Sequence, residues 1–429
     1  MKPFQLIDRT NGGSIKNDLL SGITVALALV PEAVAFAFVA GISPIVGLYG
    51  AFMMGLVTAI FGGRPGMISG ATGAMAVVMV SLVSQGNELG GTESAGLQYL
   101  FATLLLAGLI QVSAGMLRLG KFVRMIPHSV MMGFVNGLAI VIFLSQLGMF
   151  KSNGQWLVGS SLWIMLGLVA TTMLIMALLP LVTKKVPAAL TAIVVVSLVV
   201  IFGGLETETV KSFIVANGGE GIKAGLPRFQ VPLISFSLET LFFIAPYAFI
   251  LAAIGLIESL MTLNLIDELT ETHGSGNREC VAQGAGNILN GFFGGMGGCA
   301  MIGQSIINIK SGGRGRLSGI TAALALLFFI LFGSSYIEQV PIAALVGVMF
   351  MVVLGTFAWS TFKVWNKVPN ADMIVIILVT VITVLFDLAI AVLAGVIVSS
   401  LVFAWENAKR IRARKHVDEH GVKHYEIYG

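Results

Sequence analysis

Leu19–Val39 runs for 21 residues with one charged side chain, Glu32, and Leu241–Leu265 runs for 25 with one, Glu258. Nothing else in the chain limits the fold as sharply. Hydrocarbon offers no water to backbone N–H and C=O groups, so only a helix or a closed barrel can cross it. About 20 apolar residues make a helix long enough. Twelve further apolar runs follow the same logic: Ile45–Phe61, Ala74–Val83, Leu97–Met116, Val130–Phe150, Leu157–Val182, Ala188–Phe202, Val281–Phe293, Ile302–Ile309, Leu317–Phe332, Ile342–Phe357, Ala371–Phe386 and Leu388–Trp405. The expectation is an all-α polytopic membrane protein with 14 transmembrane segments.

Composition closes the soluble alternative. Charged residues are 11% of the 429, against about 25% in soluble chains, too few to clothe the two or three soluble domains that this length would allow. The 52 glycines suit close helix packing in a membrane. The net charge of +4 is scattered through short loops and forms no stripe for nucleic acid. Cys280 and Cys299 are too few for a disulfide framework and read as inert packing residues. The N-terminus is polar to about Asp18 and the first apolar run is long enough to span, so no cleavable signal peptide is read there.

Basic residues orient such a chain. With the N-terminus inside and 14 crossings, 21 of the 25 Lys and Arg fall on the inner side; only Lys151, Lys211, Lys223 and Arg228 fall outside. Both termini are expected in the cytoplasm.

Two of the runs, Ala74–Val83 and Ile302–Ile309, are too short to cross. Each follows a similar hexapeptide, Phe61-Gly62-Gly63-Arg64-Pro65-Gly66 and Phe293-Gly294-Gly295-Met296-Gly297-Gly298. Upstream, Glu32 lies 29 residues before Phe61 and Glu258 lies 35 before Phe293. The matched order suggests two repeats of seven segments, about 19–204 and about 236–405, in inverted topology. Segments 3 and 10 would then be half-helices meeting at mid-membrane. A helix that starts there offers free N–H groups and the positive end of its dipole, and two such starts can cradle an anion. The candidate anion ligands are Thr72, Gly73, Ala74, Gly303, Gln304 and Ser305.

Glu32 and Glu258 are acids where lipid disfavours them, at roughly 2.5–3.5 kcal/mol each on insertion scales. That marks a pathway, a coupling ion or a proton relay; the alternative is a Glu satisfied by a neighbouring helix or kept protonated. Thr262 stands one turn from Glu258 on the same face. The two supply hard oxygens that suit Na+ or H+, not zinc. No Walker A, HExxH or GxSxG motif occurs, so neither an enzyme nor an ATP-driven pump is read here, and no cofactor is called for beyond the coupling ion.

The sequence resembles the sulfate permease (SulP) family of anion transporters over essentially its whole length. Val30-Pro31-Glu32-Ala33-Val34-Ala35-Phe36-Ala37, Ala40-Gly41-Ile42-Ser43-Pro44 and Gly47-Leu48-Tyr49 are similar to one family stretch. Asn277-Arg278-Glu279, Gln283-Gly284, Gly286-Asn287, Phe293-Gly294-Gly295 and Asn308 are similar to another. The resemblance implies a core domain holding the anion between the third and tenth helix starts, a gate domain, and a homodimer of the full-length protein in a bacterial inner membrane. It implies that Glu258 and Thr262 match the sodium positions of the family's bicarbonate symporters, a possible sodium site. Many members carry Gln where Glu32 stands and Arg where Gln304 stands. The tenth-helix hydroxyl of the symporters is Ile302 here, so a sodium site would lean on carbonyls near Ala300 and Ile302, and proton coupling stays open.

At the C-terminus, Glu406–Lys415 reads as a basic exit helix and Val422–Tyr428 alternates like a strand. The resemblance places a STAS domain here, and 406–429 is expected to be its truncated start. The expectation for function is cation-coupled uptake of a small anion, bicarbonate first, sulfate or a dicarboxylate second, by an elevator motion. A proton-coupled nucleobase permease and an uncoupled anion channel are the rivals.

Overall fold

The computed structural model describes residues 14–92, 94–120, 128–152, 155–183, 187–216, 221–222, 225–235, 237–364, 370–385, 412–417 and 423–428, with single helical residues at 394, 397, 398 and 401. In chain order the elements are α1 (Ile15–Val39), α2 (Pro44–Phe61), β1 (Ser69–Ala71), α3 (Gly73–Gly90), α4 (Ala95–Met116), α5 (His128–Leu147), the short pair β2 (Lys151–Ser152) and β3 (Gln155–Trp156), α6 (Ser160–Val182), α7 (Ala188–Gly203), α8 (Val210–Ala216), α9 (Leu238–Thr270), α10 (Gly276–Phe293), β4 (Gly298–Ala300), α11 (Ile302–Lys310), α12 (Arg316–Glu338), α13 (Ile342–Thr356), α14 (Ser360–Val364), α15 (Asn370–Leu385), β5 (Arg412–Val417) and β6 (Lys423–Tyr428). Thirteen of the fourteen expected runs coincide with a helix; Leu388–Trp405 lies outside the described residues apart from the single helical positions.

Among the described residues, eight helices are long and apolar enough to cross a membrane by length and composition. Their outer faces carry large apolar side chains: Leu181 is 81% exposed, Phe242 77% and Phe332 68%. A soluble monomer rarely shows such surface; helices bordering hydrocarbon are expected to.

Close packing explains part of the glycine excess. Where α4 meets α10, a Cβ on Gly108 would stand 2.5 Å from the Gly284 carbonyl oxygen, and one on Gly284 2.5 Å from that of Gly108. Only glycine on both sides lets these backbones touch.

The chain forms two contact units. The first (1–125 and 139–356) carries α1–α4, the second half of α5 and α6–α13. Its interior is filled by Met54, Met75, Met79, Leu100, Leu104, Leu251, Ile254 and Met296, all fully buried. The second (126–138 and 357–429) contains the start of α5, α14, α15 and the β5–β6 hairpin. There Asn136 bridges the α14 region, donating to Thr361 Oγ1 at 2.9 Å and accepting from the Ala358 amide at 2.8 Å.

Three expectations change. The polar N-terminal segment 1–18 does not run to Asp18: α1 begins at Ile15, and Asp18 is fully buried. Its carboxylate accepts the Arg314 and Gly315 amides at 2.8 and 3.2 Å, so it caps the start of α12 from another helix, where negative charge is favoured. Of the expected exit helix Glu406–Lys415, residues 406–411 lie outside the described residues, and Arg412–Val417 is a strand paired antiparallel with Lys423–Tyr428; the expected lone strand has a partner. The third segment is longer than expected: α3 continues through polar residues to Gly90 and stops at Gly91, in the left-handed region at φ 65°, a conformation that glycine adopts freely.

Candidate functional site

The order α1–α2–β1–α3 recurs as α9–α10–β4–α11. β1 and β4 pair antiparallel, with Ser69 opposite Ala300, Gly70 opposite Cys299 and Ala71 opposite Gly298. Each strand runs directly into its helix, so α3 and α11 depart from one crossing in opposite senses. Their first backbone bonds are Ala76 N to Thr72 O (3.0 Å) and Ser305 N to Met301 O (3.1 Å). The amides of Gly73, Ala74 and Met75, and of Ile302, Gly303 and Gln304, precede those bonds. Thr72 and Met301 are the N-caps, and neither side chain caps its own helix. Six amides and two positive dipole ends therefore gather at one crossing.

The expected anion ligands fall at this crossing, with one difference. Gly303 is exposed, and a Cβ there would meet nothing within 4 Å. Ser305 is not free to bind: its amide opens the α11 ladder, and its hydroxyl accepts the Ile68 amide at 3.0 Å. The free amides lie one residue earlier, and Ile302, grouped above with the cation ligands, supplies one of them.

Glu258, near the middle of the 33-residue α9, is only partly buried. Cys299 donates to its Oε2 at 2.9 Å. The same sulfur lies 3.2 Å from Thr72 Oγ1. Thr262, fully buried, donates to the Glu258 carbonyl at 2.8 Å, which leaves its oxygen lone pairs available as acceptors. Ser259 accepts the Ala300 amide at 3.1 Å and ties α9 to β4. Glu32 is partly buried on α1 and hydrogen-bonds with the Gln304 side chain.

A support the motifs alone did not explain runs along α10. Glu279, Gln283 and Asn287 recur every four residues, with Asn290 beyond them, and all four are fully buried. Gln283 donates to Ser69 Oγ at 2.9 Å and to Glu279 Oε1 at 2.7 Å. Asn287 brackets Gly298, donating to its carbonyl at 3.1 Å and accepting its amide at 3.0 Å, and also donates to Gln111 at 2.9 Å. Asn290 donates to Met296 O at 2.7 Å. This side-chain ladder does for β4 what a further strand would do. Its signal in the sequence was three polar residues at i, i+4 and i+8 in a membrane segment.

The first hexapeptide is an anchor. Arg64 pairs with Asp267 at 3.1 Å and donates to Thr270, and to Thr272 at 2.6 Å. The Gly63 amide donates to Glu279 Oε2 at 2.7 Å. Arg316 donates to the Ala59, Ile60 and Gly62 carbonyls at 2.9, 3.0 and 2.7 Å, placing positive charge at the C-terminal end of α2, where the dipole favours it.

Comparison with known proteins agrees with the fold. YbaR of Bacillus subtilis, named for sulfate transport, is 45% identical over 420 residues, 97% of this chain and 82% of that protein. The bicarbonate transporter BicA of Picosynechococcus is 33% identical over 413 residues, 93% of this chain and 72% of that protein. The solved transmembrane domain of a cyanobacterial BicA superposes with a TM-score of 0.76 at 32% identity, covering 88% of this chain and 97% of that one. SLC26A9 shares the fold alone, with a TM-score of 0.79 at 18% identity over 95% of this chain and 68% of that one. The model of the sulfate permease family matches residues 15–380, the span that holds both helix starts and both intramembrane acids, and the chain therefore belongs to the sulfate permease family of membrane anion transporters.

Proposed function

We propose that this protein drives uptake of a small inorganic anion, bicarbonate first, by symport with Na+ or H+. One observation carries the reading: Cys299 joins the Glu258 carboxylate to Thr72, the N-cap of α3. A cation at Glu258 and an anion at the helix starts would then be neighbours, and each would offset the other's charge. The cation would take Glu258, Thr262 and carbonyls near Ala300 and Ile302; the anion would take the amides of Gly73, Ala74, Met75, Ile302, Gly303 and Gln304. Alternating access would follow from an elevator motion of the helix-start domain in a bacterial inner membrane. Fourteen segments in two inverted repeats, cytoplasmic termini and a homodimer belong to the same reading, supported by the recurring helix–helix–strand–helix order and by the fold match to BicA.

Sulfate is the second reading for the substrate, favoured by the 45% identity to YbaR. Uptake of labelled bicarbonate, sulfate and fumarate into proteoliposomes, under an imposed Na+ or pH gradient, separates the choices. Bicarbonate accumulation that follows one of the two gradients is expected; accumulation of none of the three, or flux indifferent to both gradients, would overturn the proposal.

A further inference from the structure

α1 lies across the strand crossing. Leu29 Cδ2 comes within 3.4 Å of where a Cβ on Gly70 would stand, and the Phe36 ring within 2.7 Å of the same position on Gly73. Glu32 falls between these two contacts, on the face they share, and Gln304, in the first turn of α11, hydrogen-bonds its carboxylate. Leu29, Ala33 and Phe36 are 2%, 1% and 4% exposed, whereas Glu32 is only partly buried. Glu32 thus keeps some surface where the apolar side chains around it do not, and its partner Gln304 follows directly on Gly303, which is exposed.

An acid is an odd neighbour for an anion. Each helix start carries about half a unit of positive charge, so the pair supplies about one. If a co-transported cation balances Glu258, an ionised Glu32 cancels most of what the helix starts provide. A dianion would meet repulsion there. An ionised carboxylate is also acceptor-only, so it cannot hydrogen-bond an oxygen that bears no proton. A monoanion with one O–H group escapes both problems: its charged oxygens take the backbone amides and its O–H donates to Glu32.

We propose that Glu32 makes the site selective for oxyanions that carry their own hydrogen-bond donor, of the hydrogencarbonate kind, over donor-free anions such as sulfate. This rests on the anion site proposed above and adds its specificity. A site built to take an O–H discriminates strongly against analogues that lack one.

The test is uptake into proteoliposomes of the purified protein at fixed pH and fixed cation gradient, with labelled bicarbonate and labelled sulfate. Glu32→Gln replaces an acceptor oxygen by an NH2 donor at nearly constant size; the KM ratio should move toward sulfate by about tenfold or more. Glu32→Asp keeps the acceptor and should retain the wild-type preference. A second measurement needs no variant: formate, a monoanion without a donor, should compete with bicarbonate at the wild-type protein about tenfold less well than unlabelled bicarbonate does. An unchanged ratio in an active Glu32→Gln protein, equal competition by formate, or a wild-type preference for sulfate would each overturn the role of Glu32. Wild-type protein that takes up neither anion would instead defeat the transport reading itself.

Discussion

The Cys299 thiol donates to the Glu258 carboxylate across 2.9 Å, and it does so from the central position of β4, opposite Gly70. A carboxylate on a long helix is thereby fixed to the strand pair that launches α3 and α11. Coupling between a cation and an anion needs such a physical link, because a ligand shifts an equilibrium only through contacts that differ between states.

Glu258→Gln should abolish the cation dependence of uptake. Glutamine keeps an acceptor oxygen for Cys299 and removes the charge that would hold Na+ or take up H+. In proteoliposomes, accumulation against a gradient should fall to background while counterflow exchange of the labelled anion continues. Unaltered cation-driven accumulation would refute the role given to Glu258.

Cys299→Ser and Cys299→Ala should behave differently. Serine can still donate to Glu258 and meet Thr72; alanine leaves a carboxylate oxygen without its donor, a loss of about 1–3 kcal/mol. The concentration of coupling cation for half-maximal uptake should shift by about tenfold in Cys299→Ala and far less in Cys299→Ser. Equal shifts would mean that the thiol only fills space.

Asn287→Ala should destabilise the fold more than a typical substitution. It strands the Gly298 amide and carbonyl and the Gln111 carbonyl in a fully buried place. About 2–4 kcal/mol is expected, read as a lower unfolding temperature in detergent. A thermal shift no larger than that of an exposed substitution would show that the ladder is dispensable.

Two glycines at the helix starts should part company. A Cβ on Gly73 would stand 2.7 Å from Phe36 and 2.9 Å from Ile142, whereas one on Gly303 meets nothing within 4 Å. Gly73→Ala should therefore lower thermal stability. Gly303→Ala should leave stability the same or slightly higher, since alanine suits a helix better by about 1 kcal/mol, and should raise the anion KM because the methyl group intrudes on the open side. Unchanged anion KM in Gly303→Ala would remove this amide from the site.

Much of the architecture was legible because hydropathy is a strong signal: thirteen apolar runs met a helix, and the two short ones, at 74–83 and 302–309, bracket the crossing. Glu32 and Glu258 stood out for the same reason, as charges inside apolar runs. What stayed hidden was polar chemistry that hydropathy cannot sort. Cys299 reads as an apolar filler, and only the fold brings its sulfur to Glu258. Asp18 reads as solvent-facing, because a cap supplied from another helix leaves no local trace. Ser305 looked like an anion ligand, yet which amides a helix leaves free depends on its first residue, and a shift of one residue changes the set.

Thr72 and Cys299 meet across 227 positions of sequence. During synthesis and insertion the first strand, Ser69–Ala71, enters the membrane long before Gly298–Ala300 exists to pair with it. With the crossing at mid-membrane, as proposed above, its ladder groups would wait without a partner where water is scarce, which is costly. The first half of the chain is thus expected to be unable to mature alone: expressed by itself it should be degraded or held by chaperones, and co-expression of the second half as a separate polypeptide should rescue it. The crossing that makes the site also makes its assembly an event that only the two halves together can complete.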